Sequence, residues 1–127
     1  MENLIFKSNE KVLFIGDSIT DCGRSWDDPE NLGDGYVRLL STMLPDKYPK
    51  HEFKFINRGV SGDKVRDLVS RWDVDCICLQ PDWLSILVGI NDTLITPITE
   101  FEVEYQTLLK RTTNELDSRI IICEPFL

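Results

Sequence analysis

The sequence predicts an α/β fold, a three-layer flavodoxin-like parallel sheet. Two observations carry this. Four short, nearly continuous apolar runs recur along the chain, the pattern of strands covered on both faces. Between them lie stretches whose apolar residues return every three or four positions, the pattern of amphipathic helices. The resulting βαβαβαβ order calls for parallel strands joined by right-handed crossovers.

The first run, Lys11 to Ile15, is a buried strand stopped by Gly16. A polar loop follows from Cys22 to Gly35. Tyr36 to Leu44 places apolar residues on one helical stripe, and Pro45 is expected to stop that helix. Phe53 to Asn57 is the second strand, and Arg58-Gly59-Val60-Ser61-Gly62 is its loop. Asp63 is the expected N-cap of a helix carrying Val65, Leu68, Val69, Trp72 and Cys76, ended by Pro81. Trp83 to Val88 is the third strand, stopped by Gly89. A helix from Thr99 turns Phe101, Tyr105, Leu108, Leu109 and Leu116 inward. Arg119 to Cys123 is the fourth strand, and Glu124-Pro125 turns after it.

The 127 residues read as one domain with a real core, 42% hydrophobic and 28% charged. No run approaches the roughly 20 apolar residues of a membrane span. The start, Met1-Glu2-Asn3-Leu4, lacks the form of an export signal, so a cytoplasmic protein is expected. Lys and Arg number 14 against 22 Asp and Glu, a net charge of -8. Such a balance disfavours nucleic acid and anionic lipid and suits a small neutral substrate. Cys76-x-Cys78 is too tight for zinc, and without an export signal the four cysteines are expected as reduced, mostly buried thiols, Cys76, Cys78 and Cys123 in or beside core elements and Cys22 outside them.

Ligands of open parallel sheets bind beyond the carboxyl ends of the strands. Four polar clusters fall there: Gly16 to Asp21, Asn57 to Gly62, Gly89 to Thr93, and Glu124-Pro125. Ser18 offers a hydroxyl and a backbone N–H, though alone it reads as a helix cap. Gly59 offers an N–H that a ligand can approach closely, though alone it reads as a turn glycine. Asn91 offers a carboxamide, though alone it reads as a turn asparagine. Together they would form a three-donor oxyanion hole, in which each donor contributes roughly 3 kcal/mol to the transition state.

Those three loops resemble the blocks of the SGNH (GDSL-type) hydrolases. Gly16-Asp17-Ser18-Ile19-Thr20-Asp21 is similar to the first block, Asn57 to Gly62 to the second, and Val88-Gly89-Ile90-Asn91-Asp92 to the third. The stretches Leu13 to Arg24, Val65 to Leu68, Arg71-Trp72 and Pro81-Asp82-Trp83 resemble carbohydrate acetylesterases acting on acetylated xylo-oligosaccharides. The resemblance implies Ser18 as nucleophile and Gly59 and Asn91 as oxyanion donors, with Asp17 and Asp92 supporting their motifs. It implies a small acyl ester, an acetylated sugar, as substrate, and no cofactor or metal.

A serine hydroxyl needs a base, and the family takes a histidine from a late Asp-x-x-His block. The sequence has one histidine, His51, before the second strand and so at the opposite end of the sheet. It reads as a solvated loop residue. A final strand and helix are therefore expected to be missing together with the base, leaving residues 1–127 as a truncated, nearly inactive SGNH domain. Its unpaired fourth strand and uncovered Ile120-Ile121-Ile122 run are expected to drive homo-oligomer formation.

Two other readings are open. One is a thioesterase or lysophospholipase of the same fold. The other is a non-catalytic flavodoxin-like binding module with magnesium at Asp17, Asp21 and Asp92. Of the tryptophans, Trp72 and Trp83 fall where core is expected, and Trp26, in the polar loop after Ser18, is the candidate stacking platform for a sugar.

Overall fold

The computed structural model describes residues 4–126. Four strands, β1 (Lys11–Gly16), β2 (Lys54–Gly59), β3 (Trp83–Leu87) and β4 (Arg119–Cys123), form one parallel sheet in the order β2-β1-β3-β4. The helices are α1 (Ser18–Asp21), α2 (Tyr36–Lys47), α3 (Val65–Ser70), α4 (Trp72–Asp75) and α5 (Ile98–Glu115), with a single 3₁₀ turn at Ile77–Leu79. The chain winds outward from β1 to β2, then returns past β1 to β3. That reversal puts a crevice outside the carboxyl ends of β1 and β3.

Pleating splits each strand between two cores. Leu13 and Ile15 of β1 join Leu84 and Ile86 of β3 under Val65, Leu68, Trp72, Cys76 and Leu108 from α3, α4 and α5. Val12 and Phe14 face the other way, with Val37 of α2, Phe6 and Phe55. Trp72 is fully buried, and its indole N–H donates to Thr112 Oγ1 at 3.1 Å, which ties α4 to α5. Truncating a buried tryptophan of this kind costs about 3–5 kcal/mol.

Element boundaries differ from expectation for physical reasons. The α2 helix continues through Pro45 to Lys47, because a proline in the last turn forfeits only its own N–H bond, and Tyr48 N–H closes the turn on Leu44 O at 2.8 Å. The N-cap of α3 is Lys64, not Asp63. Asp67 accepts the Lys64 N–H at 2.8 Å, while Asp63 accepts from Arg71 Nε at 2.8 Å. The segment ended by Pro81 is two helices and a 3₁₀ turn. It breaks at Arg71, whose guanidinium reaches Gly16 O, Arg58 O and Asp75. The α5 helix begins at Ile98, one residue early, with Pro97 before it.

The cysteines also differ. All four are free thiols, but only Cys76 is buried; Cys22 and Cys78 are exposed and Cys123 is half-buried. Cys22 sits in a left-handed turn at the end of α1, and Cys78 in the 3₁₀ turn. Neither place is core.

Candidate active site

Ser18 is the first residue of α1, not its cap. Asp17 is the cap, and its Oδ1 accepts the Ile19 N–H at 3.0 Å. Asp17 is fully buried, and among the described residues its Oδ2 has no hydrogen-bond partner. Burial pushes this carboxyl above its ordinary 3.8, the Ile19 N–H pulls it back in part, and the neighbouring Asp92 charge raises it further. Ser18 is exposed, at the electropositive end of its short helix. Among the described residues neither its hydroxyl nor its N–H is committed to a partner.

Hydrogen bonds sew the loops after β1, β2 and β3 into one edge. Val60 N–H donates to Gly16 O at 3.0 Å. Asp21 Oδ2 accepts from the Ser61 N–H at 2.9 Å and from its hydroxyl at 3.0 Å. Asn91 Nδ2 donates to Asp63 O at 3.0 Å, which leaves its second N–H for a ligand. Asp92 Oδ2 accepts the Val65 N–H at 3.0 Å and its Oδ1 the Thr96 hydroxyl at 2.7 Å. Ser18 and Asn91 thus stand on loops that share the β2 loop as a common neighbour.

Gly59 has a different task from the one its sequence suggests. It lies in β2, not in a loop, paired with Gly16. Its N–H is taken by Asn57 Oδ1 at 2.8 Å, and a Cβ there would stand 2.2 Å from the Asp21 N. Glycine is needed for the close crossing of α1 over β2, not to present an N–H. The open N–H on this loop is that of Gly62. Its φ is +87°, nothing lies within 4 Å of a Cβ built there, and no acceptor among the described residues takes its N–H. Gly62 lies between Ser61, tied to α1, and Asp63, tied to Asn91. The sequence signal was Gly62 itself, in the same block but unweighed beside Gly59. Asn57 was missed too. Fully buried, it also donates Nδ2 to Thr20 O at 2.7 Å and to Leu32 O at 2.9 Å.

His51 stays far from this edge. The whole length of β2, at roughly 3.3 Å per residue, separates it from the carboxyl end. It is half-buried between Tyr48 and Phe53, with ring centroids at 5.7 and 5.9 Å, and so is packed and not freely solvated. A 610 Å³ groove lies beside it along β2, and neither Ser18 nor Asn91 lines it. At the carboxyl edge, a 220 Å³ hollow is lined by Gly89, Asp92, Thr93, Thr96, Ile98, Phe101 and Pro125. Asp21 Oδ1 and Oδ2, both Asp92 oxygens and Asp17 Oδ1 accept from N–H and O–H donors, and no three carboxylate, thiol or imidazole groups gather as a metal site among the described residues. No helix of the described residues is long and apolar enough to cross a membrane.

The sheet winds in a doubly wound α/β order, and an exposed serine and uncommitted amide donors stand beyond the carboxyl ends of its strands. The chain belongs to the GDSL-like lipase/acylhydrolase family, whose signature matches residues 14–127. It is 41% identical over 124 residues to an acetylxylan esterase of Geobacillus stearothermophilus, covering 94% of this chain and 57% of that protein. The crystal structure of Axe2, an acetylxylan esterase from the same organism, superposes with a TM-score of 0.87 at 39% identity, covering 94% of this chain and 61% of that one. A catalytic mutant of Axe2 with its serine replaced superposes with a TM-score of 0.89 at 38% identity, covering 97% and 63%. The chain therefore spans about three fifths of the length of these relatives.

Proposed function

We propose that this chain carries the nucleophile and oxyanion half of a serine esterase for short acyl esters, acetyl esters of carbohydrates in particular. The observation that carries the reading is Ser18, exposed and unpaired at the start of a capped helix, on a loop bonded to the one that reaches Asn91. Ser18 Oγ would attack the ester carbonyl, and the alcohol would leave with a proton. The negative charge of the tetrahedral intermediate would be held by the N–H of Ser18, the N–H of Gly62 in place of Gly59, and the Asn91 amide. Water would then release the acid from the acyl-enzyme. Asp17 and Asp92 serve as supports, fixing α1 and the start of α3. Similarity to an acetylxylan esterase supports the acetylated-sugar substrate. Catalytic mutants of Axe2 have been solved with serine, aspartate or histidine replaced, which supports a serine mechanism that needs a histidine base.

The sole histidine is His51, so Ser18 has no base beside it here. The expected behaviour is negligible turnover but slow acylation when imidazole is supplied as external base. Intact-mass analysis after treatment with p-nitrophenyl acetate and imidazole should find one acetyl group, on Ser18. Ser18→Ala should abolish it, and Asn91→Ala should slow it by about a hundredfold. Equal acylation of Ser18→Ala overturns the reading.

A longer acyl chain is a second reading with its own support. Leu94, Ile95 and Ile98 are exposed next to the hollow at Phe101 and Pro125. Faster acylation by a decanoyl than by an acetyl ester would favour the lysophospholipase or thioesterase alternative.

A further inference from the structure

Trp26 is 59% exposed, whereas Trp72 is buried and Trp83 is half-buried with its indole N–H on Glu10. An exposed indole presents a large, rigid apolar face to a ligand, with a polar handle at its N–H. The Trp26 ring is not loose. Its Nε1 donates to Asp21 Oδ2 at 3.3 Å, and the same oxygen accepts from Ser61. The Arg24 guanidinium lies over the ring at 5.7 Å from its centroid, and Arg24 Nε donates to Gly59 O at 2.7 Å. One face of the indole is thus backed by a cation that is itself anchored on β2. The surrounding loop is pinned as well, by Asn31 Oδ1 accepting the Ser25 and Gly33 N–H groups at 3.1 and 2.9 Å.

The position relative to Ser18 follows from the short helix between them. Asp21 is three positions after Ser18 in α1 and holds the indole N–H at 3.3 Å, so the indole nitrogen lies no more than about 12 Å from the Ser18 Cα. A short oligosaccharide bridges that span. Pyranose rings pack C–H groups on indole faces, and a held ring pays little entropy on binding. The charge of the loop selects among sugars. Asp27, Asp28, Glu30 and Asp34 outnumber Arg24 together with Arg38 and Arg58, which donate to the loop's Gly33 and Pro29 carbonyls, and this acidic balance disfavours phosphorylated or uronate rings and leaves neutral ones.

We propose that Trp26 is the stacking platform of a neutral-sugar subsite beside Ser18, backed by Arg24. The proposal rests on the esterase reading for the placement of the acyl group, but the subsite binds sugar whether or not the serine reacts. The test is a xylotriose titration of this chain followed by tryptophan emission and, independently, by calorimetry. The expected result is saturable binding that Trp26→Ala weakens at least about tenfold, Trp26→Phe weakens less, and Ser18→Ala leaves unchanged. Because Trp26 is exposed, both variants should keep the parent melting temperature. Undiminished calorimetric binding by Trp26→Ala overturns the proposal. So does equal or tighter binding of glucuronic acid, or a change of oligomeric state in Trp26→Ala, which would make the ring an interface residue. Failure of xylotriose binding with intact Ser18 acylation sinks the subsite alone, whereas binding without acylation sinks the esterase reading alone.

Discussion

At the scale of single residues, Asp17 joins the motif to stability. Its carboxyl is buried, held by one N–H, and raised above its ordinary value chiefly by desolvation. A carboxyl raised in the folded state holds its proton more tightly there than in the unfolded chain. Its contribution to stability is complete in acid and is lost as pH climbs through the raised value. Asp17→Asn keeps an oxygen to cap Ile19 but has no proton to release. Urea unfolding at about pH 4 and about pH 7 should find a smaller loss of stability toward neutral pH in the variant than in the parent. An identical pH dependence would mean that Asp17 is not the group responsible. Gly59 teaches a different lesson at the same scale. A glycine after a strand reads as an open N–H, and the structure makes it a crossing point, because a Cβ would collide with the Asp21 N at 2.2 Å.

At the scale of elements, the break between α3 and α4 is the informative one. The apolar spacing of Val65, Leu68, Trp72 and Cys76 passes through it without interruption, since all four still bury against the same face. Periodicity therefore could not reveal it. Arg71 stands at the break and binds Gly16 O at 3.1 Å, Arg58 O at 2.7 Å, Asp63 at 2.8 Å and Asp75 at 2.9 Å. One planar fork thus holds the ends of β1 and β2 to the helical layer. Lysine carries the charge without the fork. Arg71→Lys should cost about 2 kcal/mol in urea unfolding and slow acylation of Ser18 by loosening the edge it stands on. A variant of parental stability and reactivity would remove Arg71 from that role.

At the scale of the whole molecule, β4 is the exposed margin. Like β2 at the opposite edge, it has a sheet neighbour on one side only among the described residues, β3. Ile120 and Ile121 pack into opposite cores, so the run is less naked than its composition suggests, yet Ile122 remains 54% exposed and Phe126 76%. Unpaired strand edges with apolar side chains associate, and a net charge of -8 opposes it. Sedimentation velocity should find concentration-dependent association that strengthens as salt screens the charge. Ile122→Lys should weaken it without loss of melting temperature. A monomer at every concentration and salt level would show that the margin is tolerated as it stands.

The strand runs, the helical stripes and the three polar blocks at strand ends were legible in the sequence because they are local: pleat, helical period and turn chemistry are written over a few residues. Ser18 and Asn91 follow β1 and β3 for that reason. Tertiary contact decided the rest. Whether an N–H is free or taken depends on what crosses it, and so Gly59 is sealed by Asn57 and α1 while Gly62 stays open. Whether a tryptophan is core or surface depends on which layer covers it, and so Trp72 is buried while Trp26 stands out on its Arg24 support. Close approach between distant segments sets both outcomes, and no window of neighbouring residues encodes it.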